Sequence, residues 1–149
     1  MKKLVVFMLC AALIVPLLPV VGYAAEGEKE IMHFADGSYL LIELSANGSR
    51  ATEQVTGNKK YTYYDGNNTA QWRATLTGTF TYTGSSATCT ASSVDMTIYN
   101  SDWYVSYKTA GKSGNKATAS VMMKKTSDKV TSSVPVSLTL SCDASGNLS

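Results

Sequence analysis

Trp72-Arg73-Ala74-Thr75-Leu76-Thr77-Gly78-Thr79-Phe80-Thr81-Tyr82 alternates without a break. The even positions carry Trp72, Ala74, Leu76, Gly78, Phe80 and Tyr82, and the odd ones Arg73 and four threonines. A period of two puts one set against a core and the other in solvent, so this is a half-buried strand. Thr83-Gly84-Ser85-Ser86 supplies turn chemistry, and Ala87, Cys89 and Ala91 resume the apolar parity against Thr88, Thr90 and Ser92. A four-residue loop pairs Tyr82 with Ala87, which in register sets Phe80 opposite Cys89 and Gly78 opposite Ala91. Farther along the return strand the inward set moves to Val94, Met96 and Ile98, a change of parity that one extra residue at Ser92-Ser93 would repair as a β-bulge.

The same alternation extends in both directions. Toward the C-terminus, Trp103, Val105 and Tyr107 form one inward set, and Ala117, Ala119, Val121 and Met123 form another. Between them, residues 108–116, rich in Gly, Lys, Ser and Asn, read as an exposed loop. The last strand sets Val134, Val136, Leu138, Leu140 and Cys142 against Ser133, Pro135, Ser137, Thr139 and Ser141. Because Pro135 has no N–H for a ladder, that strand belongs at an edge or begins pairing after it. Toward the N-terminus, Asp36-Gly37 lies between two apolar runs and signals a hairpin. A two-residue turn there would pair Phe34 with Tyr39, whereas grouping Met32, Phe34, Leu40, Ile42 and Leu44 needs an odd-length loop or a bulge. Residues 51–56 read as a weak edge strand. Lys59-Lys60-Tyr61-Thr62-Tyr63-Tyr64 reads as a firm one, and Asp65-Gly66-Asn67-Asn68 as a plain turn that lacks the alternating acidic ligands of a calcium loop. No amphipathic helix interrupts this run. Eight or nine strands, each with one apolar face, predict an all-β fold, an antiparallel two-sheet sandwich.

Ahead of it, Met1-Lys2-Lys3 precedes an unbroken apolar segment from Leu4 to Val21 and then Gly22-Tyr23-Ala24-Ala25. This is the layout of a secretory signal peptide, so residues 1–25 read as a leader, residues 26–149 as a single domain, and the protein as secreted, with loose cell-surface association the variant of that reading. Cys10 lies within the leader. Taking Lys2 and Lys3 from the 13 basic residues leaves 11 against 11 acidic ones, so the mature chain is formally neutral. With no basic stripe, nothing points to nucleic acid, and no stable membrane span is expected after processing. Cys89 and Cys142 share the inward parity, and in an oxidising compartment they are expected to form a disulfide.

The order Cys89, Trp103, Cys142 is similar to that of immunoglobulin domains, although Leu140 stands where a tyrosine is expected. A wider resemblance rests on Phe34-Ala35-Asp36-Gly37-Ser38-Tyr39, Thr77-Gly78-Thr79-Phe80-Thr81-Tyr82 with Ser86-Ala87-Thr88-Cys89-Thr90, Lys112-Ser113-Gly114-Asn115-Lys116-Ala117-Thr118-Ala119 and Leu138-Thr139-Leu140-Ser141-Cys142-Asp143. In these segments the chain resembles uncharacterised small secreted proteins of Gram-positive bacteria. The resemblance implies export and a shared β fold, and no activity.

Catalysis needs a constellation of acids, bases or nucleophiles, and the chain has one histidine, His33, beside an apolar run. Asp95, Asp102 and Glu43 are scattered, and no His/Cys spacing suits a metal. The sequence therefore reads as a monomeric, non-catalytic binding or adhesion module without cofactor, directed at an extracellular glycan or protein. Trp72 and Trp103 are inward by parity and read as core. The candidate ligand-binding residues are Tyr61, Tyr63, Tyr64 and Tyr104, whose rings give contact area at small entropic cost. The alternative is a membrane-active or self-assembling β-hairpin protein of the toxin or bacteriocin kind.

Overall fold

A computed structural model describes residues 27–47, 53–127 and 129–149. The leader lies outside the described residues. Eight strands follow in order: β1 (Lys29–His33), β2 (Tyr39–Asn47), β3 (Gln54–Tyr64), β4 (Ala70–Tyr82), β5 (Ala87–Ile98), β6 (Trp103–Ser113), β7 (Lys116–Ser127) and β8 (Val130–Ser141). They form a five-stranded sheet in the order β1-β2-β3-β4-β5 and a three-stranded sheet in the order β6-β7-β8. All pairings are antiparallel. Within each sheet every strand pairs with its sequence neighbour. The Greek-key connections of an immunoglobulin domain are thus not used, and the fold is a sandwich of two meanders.

The inward faces meet where parity placed them. Trp72, Ala74, Leu76 and Phe80 of β4 are fully buried, with Ala117 and Met123 of β7 and Leu140 of β8 equally closed from solvent. β4 and β5 face β7, and β3 and β4 face β8. Full burial of each large apolar side chain contributes roughly 1.5–3 kcal/mol, which is what drives the sheets together. Pro135 lies on β8, an edge strand, opposite Met122 of β7.

Four local expectations are corrected. First, the weak edge strand expected at 51–56, of which residues 51 and 52 lie outside the described residues, is instead the start of β3, which runs unbroken from Gln54 to Tyr64 as an interior strand between β2 and β4. Gly57 pairs with Gly78, and Thr77 donates its hydroxyl to Asn58 Oδ1 at 2.8 Å, so neighbours hold straight a segment whose own propensity is weak. Second, the β5 bulge falls at Thr90. Thr79 pairs with Ala91 and Phe80 with Cys89, so Gly78 meets Ser92 instead of Ala91. Third, residues 108–113 extend β6 instead of forming a loop, and only Gly114 and Asn115 separate β6 from β7. A register shift between Val105 and Tyr107 turns Tyr107 outward, where it is exposed.

Fourth, no disulfide bond joins Cys89 and Cys142. Both are buried as parity required, but parity does not fix distance or direction. Their amides are tied to different carbonyls of the β6–β7 turn, Cys89 to Gly114 at 2.7 Å and Cys142 to Asn115 at 3.0 Å. Each sulfur donates to a carbonyl close by in sequence, Cys89 Sγ to Ala91 O at 3.3 Å and Cys142 Sγ to Asp143 O at 3.4 Å. Burial pushes the Cys89 thiol up, against the pull of Lys112, so at neutral pH it behaves as a small protonated hydrophobe.

After β8 the chain folds back. Cys142 and Leu148 form an antiparallel bridge, and Ser141 and Ser149 exchange backbone bonds of 2.8 and 3.0 Å. The Asp143 carboxylate organises the intervening turn by accepting from the amides of Ser145 (2.8 Å) and Asn147 (2.9 Å) and from Asn147 Nδ2 (2.9 Å). These bonds hold its pKa below the ordinary carboxylate value, the Asn147 side chain contributing most. A lowered folded-state pKa stabilises the turn above the unfolded value of about 3.9 and ceases to as pH falls through the folded value. Below about pH 4, protection of the Ser145 and Asn147 amides, relative to the intrinsic exchange rate at each pH, is therefore expected to fall while that of β4 and β7 does not. Uniform protection across the titration, read by NMR, would disprove this local role.

Candidate functional site

At one end of the sandwich the β1–β2, β3–β4 and β5–β6 turns and the first residues of β8 surround a cleft of about 350 Å³. Two aspartates, each from an Asp-Gly turn, help to line it. In the β1–β2 loop Phe34 N donates to Ser38 O (2.9 Å) and Gly37 adopts φ +84°, a left-handed conformation that glycine takes without strain. The five residues between the paired His33 and Tyr39 make the odd-length loop that groups Met32 with Leu40. Asp36 Oδ1 accepts from Ser38 N (3.0 Å) and Ser38 Oγ (2.5 Å). The Ser38 hydroxyl, then its amide, holds this carboxyl below the usual range. In the β3–β4 turn Asp65 Oδ1 accepts from the amides of Asn67 and Thr69, both at 2.9 Å.

Behind the cleft lies a polar network with its centre at Gln71, which is buried. Its Nε2 donates to Asp65 Oδ2 (3.0 Å) and to Thr69 O (3.1 Å). Its Oε1 accepts from Asn100 Nδ2 (2.8 Å) and from the indole Nε1 of Trp103 (3.2 Å). Every hydrogen-bonding position of the amide is filled, across both sheets.

Tyr63 forms the aromatic floor. Its ring stacks on Trp72 (centroids 5.2 Å apart, 13° between planes) and meets Trp103 edge-on at 5.4 Å, with Phe34 tilted at 6.0 Å. Only 7% of Tyr63 is exposed, and its hydroxyl makes no hydrogen bond to another described residue. Lys125, Ser132, Ser133 and Val134 close the far wall, and Lys125 Nζ lies 3.6 Å from Asp102 Oδ2. A second hollow of about 290 Å³ continues from the first. Phe34, Ser38 and Pro135 line it together with Asp36, Tyr63, Ser133 and Val134, which belong to both.

The four tyrosines singled out by sequence are not brought onto one surface. Tyr63 lines the cleft, and Tyr61, two residues earlier on the same inward face, is buried, its phenol pushed up by that burial and then by Glu30. Tyr64 points the other way and stacks on Tyr39 at 4.9 Å, with His33 5.7 Å beyond, in a row across β1, β2 and β3. Tyr104 is exposed on the other sheet. Asp36, Asp65, Gln71, Asn100 and Lys125 carried no site signal in the sequence beyond turn-forming or surface chemistry.

No family model, curated protein or solved structure matches this chain. Among the described residues no group of three or more His, Cys, Asp or Glu side chains is placed to hold a metal ion, and no helix is long and apolar enough to cross a membrane.

Proposed function

We propose that the protein is an exported, non-catalytic carbohydrate-binding module whose ligand sits in the cleft floored by Tyr63. The observation that carries this reading is the Tyr63 hydroxyl. The ring is buried, while the hydroxyl has no protein partner and is open to solvent, so it is free to bond a ligand group. Around it are carboxylates held rigid by their own turns, which suit the acceptor needs of sugar hydroxyls, and Asn100, Ser132 and Ser133 add further polar groups. Export is supported by the leader pattern of residues 1–25. Tyr63 acts here through its hydroxyl, since Trp72 already covers one face of its ring.

Tyr63→Phe separates binding from folding. The hydroxyl has no partner to lose within the chain, so thermal stability is expected to stay within about 1 kcal/mol of the parent, while affinity for a glycan found on an array falls roughly five- to tenfold, the worth of one hydrogen bond. Unchanged affinity, or an array with no saturable ligand at all, would refute the reading.

A further inference from the structure

The cleft is divided into two compartments of different chemistry, and the division constrains what can fill it. The first hollow offers Asp65, Asn100, Lys125 and Ser132, a lining for hydroxyl groups. The second adds Phe34 and Pro135 to Val134, which lines both, and so has an apolar wall beside Ser38 and Ser133. A simple hexose carries hydroxyls on every edge, so spanning both hollows would set at least one of them against the carbon wall of Phe34 and Pro135, where a methyl group fits better. Each hollow is near the lower end for small-molecule pockets, about 300 Å³, so the fit is to one or two sugar rings.

Asp36 and Tyr63 stand at the boundary, lining both hollows. Asp36 Oδ1 is held by Ser38, while Oδ2 makes no hydrogen bond to another described residue and remains an acceptor. The Tyr63 hydroxyl is an unengaged donor. An acceptor and a donor at the mouth of an apolar pocket match a secondary amide that ends in a methyl group. The N–H meets the carboxylate, the carbonyl meets the phenol, and the methyl enters among Phe34, Val134 and Pro135.

We propose that the ligand is a 2-acetamido sugar, its ring in the compartment of Asp65 and Asn100 and its acetamido group at Asp36 and Tyr63 with the methyl against Phe34. The proposal rests on the carbohydrate reading and narrows it to one class.

Titration calorimetry of the full mature chain with N,N′-diacetylchitobiose, cellobiose and the deacetylated chitosan dimer tests it. These share one backbone and differ at the 2-position. Binding of diacetylchitobiose about tenfold or more tighter than cellobiose is expected, the discrimination one methyl-sized group gives in an apolar pocket. Phe34→Ala, which removes the apolar wall but neither polar group, should reduce this preference to about threefold or less. Equal binding of diacetylchitobiose and cellobiose would overturn the acetamido assignment and leave the carbohydrate reading standing. Tighter binding of the chitosan dimer would also overturn it, showing that Asp36 and Asp65 select a cation. No binding of any of the three, with no other sugar bound on an array, would overturn both.

Discussion

Replacing Gln71 by leucine is expected to destabilise the fold by about 2–4 kcal/mol, a large share of the roughly 5–15 kcal/mol that holds a domain of this size. Gln71 is 3% exposed and leucine is of comparable volume, though it branches one carbon earlier, so the loss is chiefly polar. With the amide gone, the Trp103 indole N–H keeps its burial and loses its acceptor, at about 1–3 kcal/mol for one orphaned donor. Asn100 and Asp65 also lose a partner each, but they lie in the cleft, where water replaces it. The effect spreads because Gln71 belongs to the five-stranded sheet and Trp103 opens the three-stranded one, so the amide fastens the corner at which the chain changes sheets. Gln71→Glu distinguishes this from a packing defect. It keeps an acceptor for Trp103 and Asn100 but sets a second carboxylate against Asp65, which raises the pKa of the introduced group. A raised folded-state pKa stabilises below the unfolded value and is lost as pH rises, so this variant should be weakest at neutral pH and recover on acidification. Urea unfolding followed by tryptophan fluorescence measures both. A cost below about 1 kcal/mol for Gln71→Leu would show that the network does not hold the corner.

Phe80→Ala is expected to cost about 3–5 kcal/mol, the usual range for truncating a buried phenylalanine. Phe80 is fully closed from solvent, and its ring fills the hollow left by the missing side chain of Gly78. A Cβ on Gly78 would lie 2.8 Å from the ring edge of Phe80 and 2.9 Å from Ala117 Cβ. Glycine and alanine at the walls leave little that can relax into the void. The same geometry gives a sharper expectation. Gly78→Ala alone should destabilise by about 1–3 kcal/mol through overpacking, yet in the Phe80→Ala background the cost should fall below about 1 kcal/mol, because the contact with the ring is gone and only that with Ala117 Cβ remains. Chemical denaturation of the two single variants and the double variant forms the cycle. Additive effects would mean that the ring and the glycine are not coupled.

Much of this architecture was legible before any coordinates, and the residues show why. Trp72, Leu76 and Phe80 are inward because side-chain direction along a strand depends only on parity, and the same holds for Ala117 to Met123 and for Val136 to Cys142. The β5 bulge was visible as a change of parity between Cys89 and Val94 but misplaced by two residues. Its position is chosen from outside the strand: the Thr90 carbonyl leaves the ladder to accept from Lys112 Nζ at 2.5 Å, and the Cys89 amide turns to Gly114. Residues 108–113 looked like a loop because their composition is polar, yet pairing with β7 makes them strand. Propensity is a local quantity, and a partner strand overrides it.

By itself, then, the sequence determined the all-β class, the inward and outward faces of most strands and the tryptophans of the core, because each of these follows from a period of two and the transfer of apolar side chains out of water. Only the tertiary structure decided which strands share a sheet, that Cys89 and Cys142 stay unbridged to each other, and that Tyr63 leaves the set of four tyrosines to join Asp36, Asp65 and Asn100 in one cleft. These depend on distance between groups far apart in the chain. Alternation fixes which way a side chain points and carries no record of what the other sheet brings to meet it.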